Sequence, residues 1–253
     1  MGKIIAVVNQ NGGVGKTTTA VNLTAALAEA GKKVLLCDFD PQANATSGLG
    51  VDKRKIHKSV YDAIVSGVPV EEIIVKTPFG DVLPSTADLA GATIELFSMA
   101  EPNYRLAKAL DPVKNKYDYI FIDCPPSLEI LTLNSLAAAD SILVPVQCEY
   151  YALEGLSDLM HTMRLVKKRI NPNLDIFGVV LTMFDGRTNF STQVAQEVRR
   201  HFPGKVYATV IPRNVRLAEA PSHGLPVTVY DRSSRGAHAY RAMADEIIKK
   251  GRV

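Results

Sequence analysis

The chain has 253 residues, of which 47% are hydrophobic and 22% charged, and its formal net charge is +3 at pH 7. This composition is ordinary for a soluble globular protein that can bury a full core. No apolar run reaches about eighteen residues, which excludes a transmembrane helix, and the N-terminal apolar run leads into a glycine loop rather than a signal-peptide cleavage site. The three cysteines lack metal-ligand spacing, so we expect reduced, buried thiols and a cytoplasmic protein.

The positive charge is concentrated in the last quarter of the chain. From Arg187 to the end there are 12 Lys and Arg against 5 Asp and Glu, a balance of +7, whereas residues 1–186 carry a balance of −4. A basic region of this kind indicates a surface for a polyanion such as nucleic acid. Solvated helix faces produce similar imbalances, so charge alone leaves nucleic-acid binding open.

Strand-like and helix-like patterns alternate along the whole chain, which predicts an α/β fold with a mostly parallel sheet flanked by helices on both faces. Strands are predicted at residues 4–8, 33–38, 80–84, 117–123, 141–146, 175–183 and 205–211. Helices are predicted at residues 19–28, 59–66, 104–110, 128–138, 154–170, 192–202 and 237–250. The region 51–100 is less periodic. Repeats and convincing linkers are absent from the sequence, so we predict one domain, residues 1–253.

A glycine-rich loop joins the first predicted strand to the first predicted helix. It consists of Asn11, Gly12, Gly13, Val14, Gly15, Lys16, Thr17 and Thr18. Such a loop turns backbone N–H groups around a polyphosphate, its lysine neutralises the β- and γ-phosphates, and its Thr17 hydroxyl ligates Mg²⁺. The first glycine of the usual P-loop pattern is Gln10 here, and an ordinary glycine turn is the alternative. Three glycines in four residues before Lys-Thr-Thr favour a nucleotide-binding loop.

Two predicted strands end in aspartate at the edge of the sheet where ligands bind. Asp38 and Asp40 follow the second strand, and Asp123 ends the strand before Cys124. A hydrophobic strand that ends in Asp is typical of a carboxylate that holds Mg²⁺ directly or through water. Asp-Pro pairs are also turn-like, so a purely structural role is the alternative. Because a P-loop lies upstream, we favour a role for these aspartates in binding the metal ion that accompanies a nucleotide. In this role Asp40 orients the attacking water.

Four stretches together resemble the ParA/Soj family of chromosome- and plasmid-partition ATPases. They are residues 11–18, 38–50, 122–127 and 211–222. The resemblance implies a P-loop ATPase that binds ATP or ADP with Mg²⁺, forms an ATP-dependent homodimer, and is stimulated by a ParB/Spo0J-type centromere-binding partner. It also implies a bacterial, nucleoid-associated protein that binds double-stranded DNA non-specifically and does not bind membranes. Because the P-loop lies so near residue 1, we expect no N-terminal helix-turn-helix domain.

The resemblance also assigns roles to individual residues. Lys16, Asp40 and Asp123 would be catalytic, and Thr18 would lie beside the phosphates. The family's magnesium ligands would be Thr17, Asp40 and Asp123. The residues beside its adenine base would be Met183, Pro212 and Arg213. Without the family, residues 212–213 would be interpreted as a proline turn followed by a surface arginine.

Two arginines match the DNA-contacting arginines of Soj-like members, namely Arg187 and Arg216. Isolated arginines are usually solvated, and composition alone would not select these two, but the +7 balance of their region agrees with phosphate contacts. The basic runs at residues 167–169 and 199–200 either widen the surface or belong to ordinary solvated helices. No base-reading motif is visible, so we expect salt-sensitive and sequence-tolerant binding.

One position departs from the family pattern. Asn11 stands where these ATPases carry a lysine that reaches the partner subunit's nucleotide. Asparagine is neutral and shorter, and the loss of a charge-assisted phosphate contact costs roughly 10²–10⁵ in rate. We therefore expect ATP binding with weakened hydrolysis and dimerisation. Natural divergence compensated by another cation and an inherited or deliberate low-activity form are both open explanations.

Three other functions compete with a partition ATPase. A MinD-type membrane-surface ATPase would need a C-terminal amphipathic helix, and residues 242–253 have too little apolar surface for one. A nucleotide-dependent iron–sulfur carrier would need a cysteine pair at a subunit seam, which scattered cysteines do not favour. A hydrolysis-deficient, ATP-bound DNA-binding module is the third alternative, with Asn11 as its cause.

Overall fold

The computed structural model describes residues 2–127, 129–149 and 152–251, and within them six parallel strands form one sheet. The strands are β1 (Lys3–Val7), β2 (Val34–Asp38), β3 (Asp81–Leu83), β4 (Tyr119–Asp123), β5 (Ser141–Gln147) and β6 (Asp175–Thr182). Their order across the sheet is β3-β2-β4-β1-β5-β6, and every neighbouring pair is parallel. Because parallel strands need crossover connections, the helices between them cover both faces of the sheet.

The helices follow the strands in regular alternation. They are α1 (Lys16–Glu29), α2 (Asn44–Gly48), α3 (Leu89–Ser98), α4 (Arg105–Leu110), α5 (Ile130–Ala138), α6 (Ala152–Arg169), α7 (Asn189–His201), α8 (Val215–Glu219), α9 (Val227–Tyr230) and α10 (Arg235–Lys250). Short 3-10 turns lie at Lys53–Lys55, Val70–Glu72, Asp111–Lys116 and Ala220–His223, with a π-helical turn at Asp62–Ser66. Among the described residues, no helix has the length and apolarity needed to cross a membrane.

Alternate side chains of the central strand enter two separate cores. Ile4 and Ala6 of β1 belong to the core on the face covered by α3, α4, α5, α6 and α7. Ile5 and Val7 belong to the core on the face covered by α1, α2, α8, α9 and α10. The chain is therefore a single α/β domain with a helical layer on each face of a parallel sheet, which confirms the predicted fold class.

The predicted strand at residues 205–211 is wrong. This segment runs beside β6 but makes only isolated bridges, at Val206 and Pro212. The amide groups of Ala208 and Thr209 donate to the carboxylate of Glu246 on α10, at 3.0 and 3.1 Å, instead of to a neighbouring strand. A segment whose N–H groups are taken by a side chain cannot continue a ladder.

Helix α3 lies in the region that lacked clear periodicity and was not predicted. Its buried residues are Leu89, Ala92 and Leu96, whereas Ile94 and Phe97 are largely exposed. Apolar residues on both sides of the helix blur the stripe on which a helix prediction depends. The helix predicted at residues 128–138 is observed as α5 from Ile130 to Ala138. Its predicted first residue, 128, lies outside the described residues.

Candidate functional site

The candidate site lies at the carboxyl edge of the sheet, where the three central strands end level with one another. Val7, the last residue of β1, is in register with Asp123 at the end of β4. Asp123 is in turn in register with Asp38 at the end of β2. The glycine loop that follows β1 therefore emerges beside both carboxylates, as expected for an open parallel sheet.

The glycine loop is held open by left-handed backbone at two positions and by fixed contacts at its base. Gly13 and Gly15 have φ values of 75° and 89°, which favour glycine. At the base, the Asn9 amide donates to the Pro145 carbonyl at 2.7 Å, and its oxygen accepts the Asn11 N–H at 3.0 Å. No other part of the described chain comes within 4 Å of the positions where a Cβ would project from Gly12 or Gly13. The loop therefore leaves free space above its glycines.

Lys16 begins helix α1 and is almost completely buried, at 7% exposure. Its Nζ donates to the carbonyl oxygen of Asn11 at 2.9 Å, so the lysine lies folded under the loop. Burial lowers the pKa of Lys16, and the negative charge of Asp123 opposes that shift. Because the Lys16 ammonium is poorly hydrated, it would gain from replacing its neutral carbonyl partner with an anion.

Asp123 is fully buried, and neither of its carboxylate oxygens has a hydrogen-bond partner among the described residues. Burial raises the pKa of Asp123 well above its usual value and the charge of Asp38 adds to that rise, while the charge of Lys16 opposes it. An unpartnered buried carboxylate is costly unless a ligand satisfies it. Because carboxylate and hydroxyl oxygens are the ligands that Mg²⁺ prefers, Thr17 and Asp123 fit a magnesium site completed by phosphates and water.

Asp38 is also buried, but its oxygens are occupied. One oxygen accepts both the N–H and the hydroxyl of Thr46, each at 2.7 Å, and the other accepts the Asp40 N–H at 3.2 Å. Burial raises the pKa of Asp38 to about 6, against the effect of these hydrogen bonds. The Thr46 hydroxyl also accepts the Ser85 N–H at 3.0 Å. Asp38 therefore fixes α2 and the loop that carries Asp40. Its carboxylate positions these segments and is not free to bind a ligand.

Asp40 is partly exposed at the edge of the same site. Its Oδ1 accepts the Gln42 N–H at 2.9 Å, a local turn that leaves the second oxygen free of protein hydrogen bonds among the described residues. Thr18 lies one residue beyond Thr17 on α1 and is partly exposed; its carbonyl accepts the Asn22 amide at 2.8 Å. The structure thus brings Lys16, Asp40 and Asp123 to one edge of the sheet, and their catalytic and metal-binding roles stay predictions.

The three residues predicted near the base lie together at the end of β6. Met183 follows the strand with a left-handed φ of 49°, and Phe184 forms an isolated bridge with Pro212. Arg213 is exposed, and its guanidinium lies 3.4 Å from a Glu149 oxygen. The Thr182 hydroxyl donates to the Val14 carbonyl at 2.8 Å and so ties this end of β6 to the glycine loop.

The two predicted DNA-contacting arginines are both engaged with carboxylates. Arg187 is 89% exposed and makes two hydrogen bonds to Asp185, at 2.9 and 2.7 Å; hydrogen bonds from this arginine hold the pKa of Asp185 well below its usual range. Arg216 on α8 is 47% exposed and lies 2.8 Å from Glu219 and 3.2 Å from Asp231. Unlike Lys16 and Asp123, the side chains of both arginines are exposed to solvent.

One contact at the site was not predicted from the sequence. The amide of Asn11 packs against Gly155 of α6, where a Cβ would lie only 2.6 Å from Asn11 Nδ2. Gly155 is buried, and nothing in its own sequence context marks it, because a glycine inside a predicted helix is simply unfavourable. A glycine at this point permits the close approach of the loop to the helix.

Comparison with known proteins places this chain in a family. A family model described as an AAA domain matches residues 2–176. The sporulation initiation inhibitor protein Soj of Bacillus subtilis is 58% identical, over 99% of this chain and 100% of its own length. The chromosome partitioning protein ParA of Myxococcus xanthus is 51% identical, over 99% of this chain and 89% of its own length. The chain belongs to the Soj/ParA family of chromosome-partitioning ATPases.

The fold is also similar to those of solved structures. A cobyrinic acid a,c-diamide synthase from Mycobacterium smegmatis, solved with bound ADP and magnesium, superposes with a TM-score of 0.87 at 38% identity. That match covers 100% of this chain and 96% of the other. Family membership confirms the prediction of a P-loop partitioning ATPase.

Proposed function

We propose that this chain is a Mg²⁺-dependent ATP-binding switch in chromosome or plasmid partition that dimerises with ATP and binds DNA non-specifically. The observation that carries the nucleotide role is the buried pair at the sheet edge. Asp123 lacks a protein partner among the described residues, and Lys16 is bonded to a neutral carbonyl. Both charges lie beside an open glycine loop, and a nucleotide with its metal would satisfy both at once.

The residues act on ATP in the following way. Lys16 leaves the Asn11 carbonyl and donates to the β- and γ-phosphates. Thr17 and Asp123 would hold Mg²⁺, with Asp40 as a further candidate ligand, and the ion would supply positive charge beside the phosphates. Asp40, with a free oxygen at the rim, orients the attacking water, and Asp38 keeps the Asp40 loop in place through Thr46. Met183, Pro212 and Arg213 flank the base, and Thr18 lies near the phosphates.

Asn11 sets the rate of this switch. Its amide can donate only neutral hydrogen bonds to a partner's nucleotide, so the homodimer lacks one cation in its transition state. Its packing against Gly155 further restrains the side chain. Weak turnover and a weakened dimer follow, while nucleotide binding by the loop of the same subunit is retained.

The DNA surface uses Arg187 and Arg216, with a ParB/Spo0J-type protein as the partner that stimulates hydrolysis. Support comes from the +7 balance of residues 187–253 and from the exposure of both side chains. Because each arginine is paired with an acidic neighbour, DNA phosphates must displace a carboxylate, and affinity should be moderate and salt-sensitive. Such a protein would be associated with the nucleoid.

DNA binding measured with each nucleotide state tests the proposal. A gel or filter assay on random-sequence duplex is run with ADP, with ATP and with a slowly hydrolysed ATP analogue, each with Mg²⁺. We expect binding only with ATP or the analogue, and a fall in affinity with added salt. Equal binding in all three states would rule out a nucleotide-controlled switch, and no binding in any state would rule out the DNA role.

A further inference from the structure

A groove on the far side of the Asp40 loop has no place in the nucleotide or DNA roles. Its volume is about 890 Å³, within the range of roughly 300–1,000 Å³ that ligand pockets occupy. Three short segments form its walls: the loop after α2, the segment that leads into β3, and the turn before α9. The apolar residues that line it are Leu49, Val51, Ile56, Ile73, Val75, Pro78, Phe79 and Leu225.

Some charged residues that line the groove form ion pairs, and others do not. Lys58 is paired with Glu72 at 2.7 Å, and Asp52 with Arg54 at 3.0 Å. Lys55 and Lys76 also line the groove but make no ion pair among the described residues. The groove therefore offers an apolar wall with two lysines whose charge is not neutralised, and its complement is an apolar ligand that carries carboxylates.

The floor of the groove is a close crossing of two backbone segments. Gly50 and Gly224 both have left-handed φ values, 83° and 64°, and a Cβ on Gly50 would lie 3.1 Å from the Gly224 carbonyl. On one side, this crossing continues through α2 to the Asp40 loop. There the Lys53 ammonium donates to the Gln42 carbonyl at 2.6 Å. An occupant of the groove would therefore touch segments tied to Asp40.

On its other side, the crossing continues into the helix that carries Arg216. The turn Ala220–His223 packs against α2 and follows α8 without a break. Glu219 at the end of α8 holds both the Arg216 guanidinium and, at 3.2 Å, the Tyr230 hydroxyl. The groove thus lies between two proposed functional segments. One is the loop that carries Asp40, and the other is helix α8, which carries Arg216.

We propose that this groove is a docking site for an acidic, apolar peptide segment of a partner protein, in extended form. Apolar side chains of the peptide pack on the wall around Val75 and Phe79, and its carboxylates pair with Lys55 and Lys76. A polyanion such as nucleic acid fits less well, because most of the lining is apolar. Bound peptide stiffens the Gly50–Gly224 crossing, and through it restrains the Asp40 loop. This coupling, unlike the docking itself, rests on the proposed ATPase role.

Fluorescence anisotropy of labelled model peptides tests the docking site without any nucleotide. The probe is an eight-residue peptide that alternates leucine and glutamate, and its controls replace glutamate by lysine or leucine by serine. We expect the probe to bind at least tenfold more tightly than either control. Equal binding of the lysine peptide would refute the charge complement, and equal binding of the serine peptide would refute the apolar wall.

A variant pair locates the binding. The double variant Lys55→Glu/Lys76→Glu should weaken the probe at least tenfold, whereas Lys167→Glu/Lys168→Glu changes the net charge equally on α6, outside the groove, and should change affinity less than twofold. Equal losses in both variants would show non-specific attraction and overturn the site. Amide NMR shifts of wild-type protein provide a readout independent of the variants. Shifts on probe addition should centre on residues 49–58, 72–79 and 223–225, and shifts elsewhere alone would overturn the site.

ATP turnover in the presence of saturating probe tests the coupling separately. We expect turnover to change at least twofold in wild-type protein and to stay constant in Lys55→Glu/Lys76→Glu. Binding without a change in turnover would establish the docking site and refute its link to Asp40. A protein with no measurable turnover but with intact probe binding would contradict the ATPase role and leave the docking site standing.

Discussion

The two regions that we propose as ligand sites handle charge in opposite ways. At the sheet edge, Lys16 and Asp123 are buried, and Asp123 has no hydrogen-bond partner among the described residues. At the arginine surface, Arg187 and Arg216 are exposed, yet each is bonded to a carboxylate. At the sheet edge a buried carboxyl group lacks a protein hydrogen-bond partner among the described residues, whereas at each arginine the protein already satisfies the charge.

This difference predicts two kinds of recognition. Buried, unsatisfied groups destabilise the free protein and give strong, specific binding, because the ligand relieves a desolvation cost. Exposed ion pairs contribute about 0–1 kcal/mol each, so a phosphate can replace the carboxylate with little change in free energy. We therefore expect the nucleotide edge to trade stability for function, and the arginine surface to be tuned by salt.

The largest effect should come from Asp123→Asn. Loss of this carboxylate should reduce ATP turnover by roughly 10²–10³, the scale for removing one transition-state contact. The nucleotide-free variant should at the same time be more stable than wild type at pH 8, because burial raises the pKa of Asp123 well above its usual value. Thermal melting without nucleotide or Mg²⁺, at pH 5 and at pH 8, measures the second effect.

The sign of the pH dependence follows from the protons bound in each state. Folded Asp123 keeps its proton to a higher pH than the unfolded chain does, so this contribution to wild-type stability is lost as pH rises toward the raised folded pKa. The advantage of the variant should therefore grow from pH 5 to pH 8. A gain of 1 kcal/mol corresponds to about 2–4 °C in a domain of 150–250 residues. Asp245→Asn, on exposed α10 surface, is the matched control and should show no such growth.

The next largest effect on ATP turnover should come from restoring a positive charge at position 11, where Asn11 replaces the lysine of the family pattern. Asn11→Lys should raise turnover at least about tenfold, because a charge-assisted contact to a partner's phosphates is restored. Asn11→Met is the matched control, since its side chain is of similar length but uncharged. Turnover with DNA and partner protein, and dimer mass with an ATP analogue, are the measurements. Equal rates for the lysine and methionine variants would show that charge at this position does not limit the enzyme.

The central part of the fold was predictable because burial on both faces gives near-continuous apolar runs. Strands β1, β2 and β4 are such runs. Strands β2 and β4 end where predicted, at Asp38 and Asp123, and β1 ends at Val7, one residue before its predicted end. The edge beyond β6 was not predictable. Tyr207 belongs to an apolar run typical of a strand, but its ring fills the space above Gly178, where a Cβ would lie 2.2 Å from the ring. Tertiary packing, rather than local pattern, decides that segment.

The candidate site divides in the same way. Loop residues 11–18 and the strand-end aspartates are close in space because the topology forces them together, so the sequence suffices to group them. Side-chain pairings are another matter. Arg216 reaches Asp231 across fifteen positions of the chain, and Asn11 meets Gly155 across the domain. Such contacts depend on rotamers and packing that no spacing rule encodes.

A smaller effect should distinguish the arginine surface from the nucleotide edge. Arg216→Ala should weaken ATP-dependent DNA binding several-fold and reduce the slope of log affinity against log salt by about 0.9 for each phosphate that the variant no longer neutralises. Asp185→Asn should instead strengthen DNA binding, because it frees the Arg187 guanidinium from a competing carboxylate. Titration of random-sequence duplex at several salt concentrations measures both. If Asp185→Asn weakens binding, the pairing positions Arg187 rather than competing with DNA.

The smallest effect should come from the contact between the glycine loop and α6. In Gly155→Ala the new Cβ would meet the Asn11 amide at 2.6 Å, so the loop must shift, and ATP affinity should fall about three- to tenfold, or about 0.6–1.4 kcal/mol. Asn11→Ala removes the obstructing atoms, so the double variant should bind ATP more tightly than Gly155→Ala alone. Gly91→Ala is the matched control, since a Cβ there meets only the flexible end of Glu95, at 3.8 Å. Equal reductions in affinity with and without Asn11 would assign the effect to α6 itself, whereas recovery in the double variant would show that the loop and the helix are coupled through this one contact.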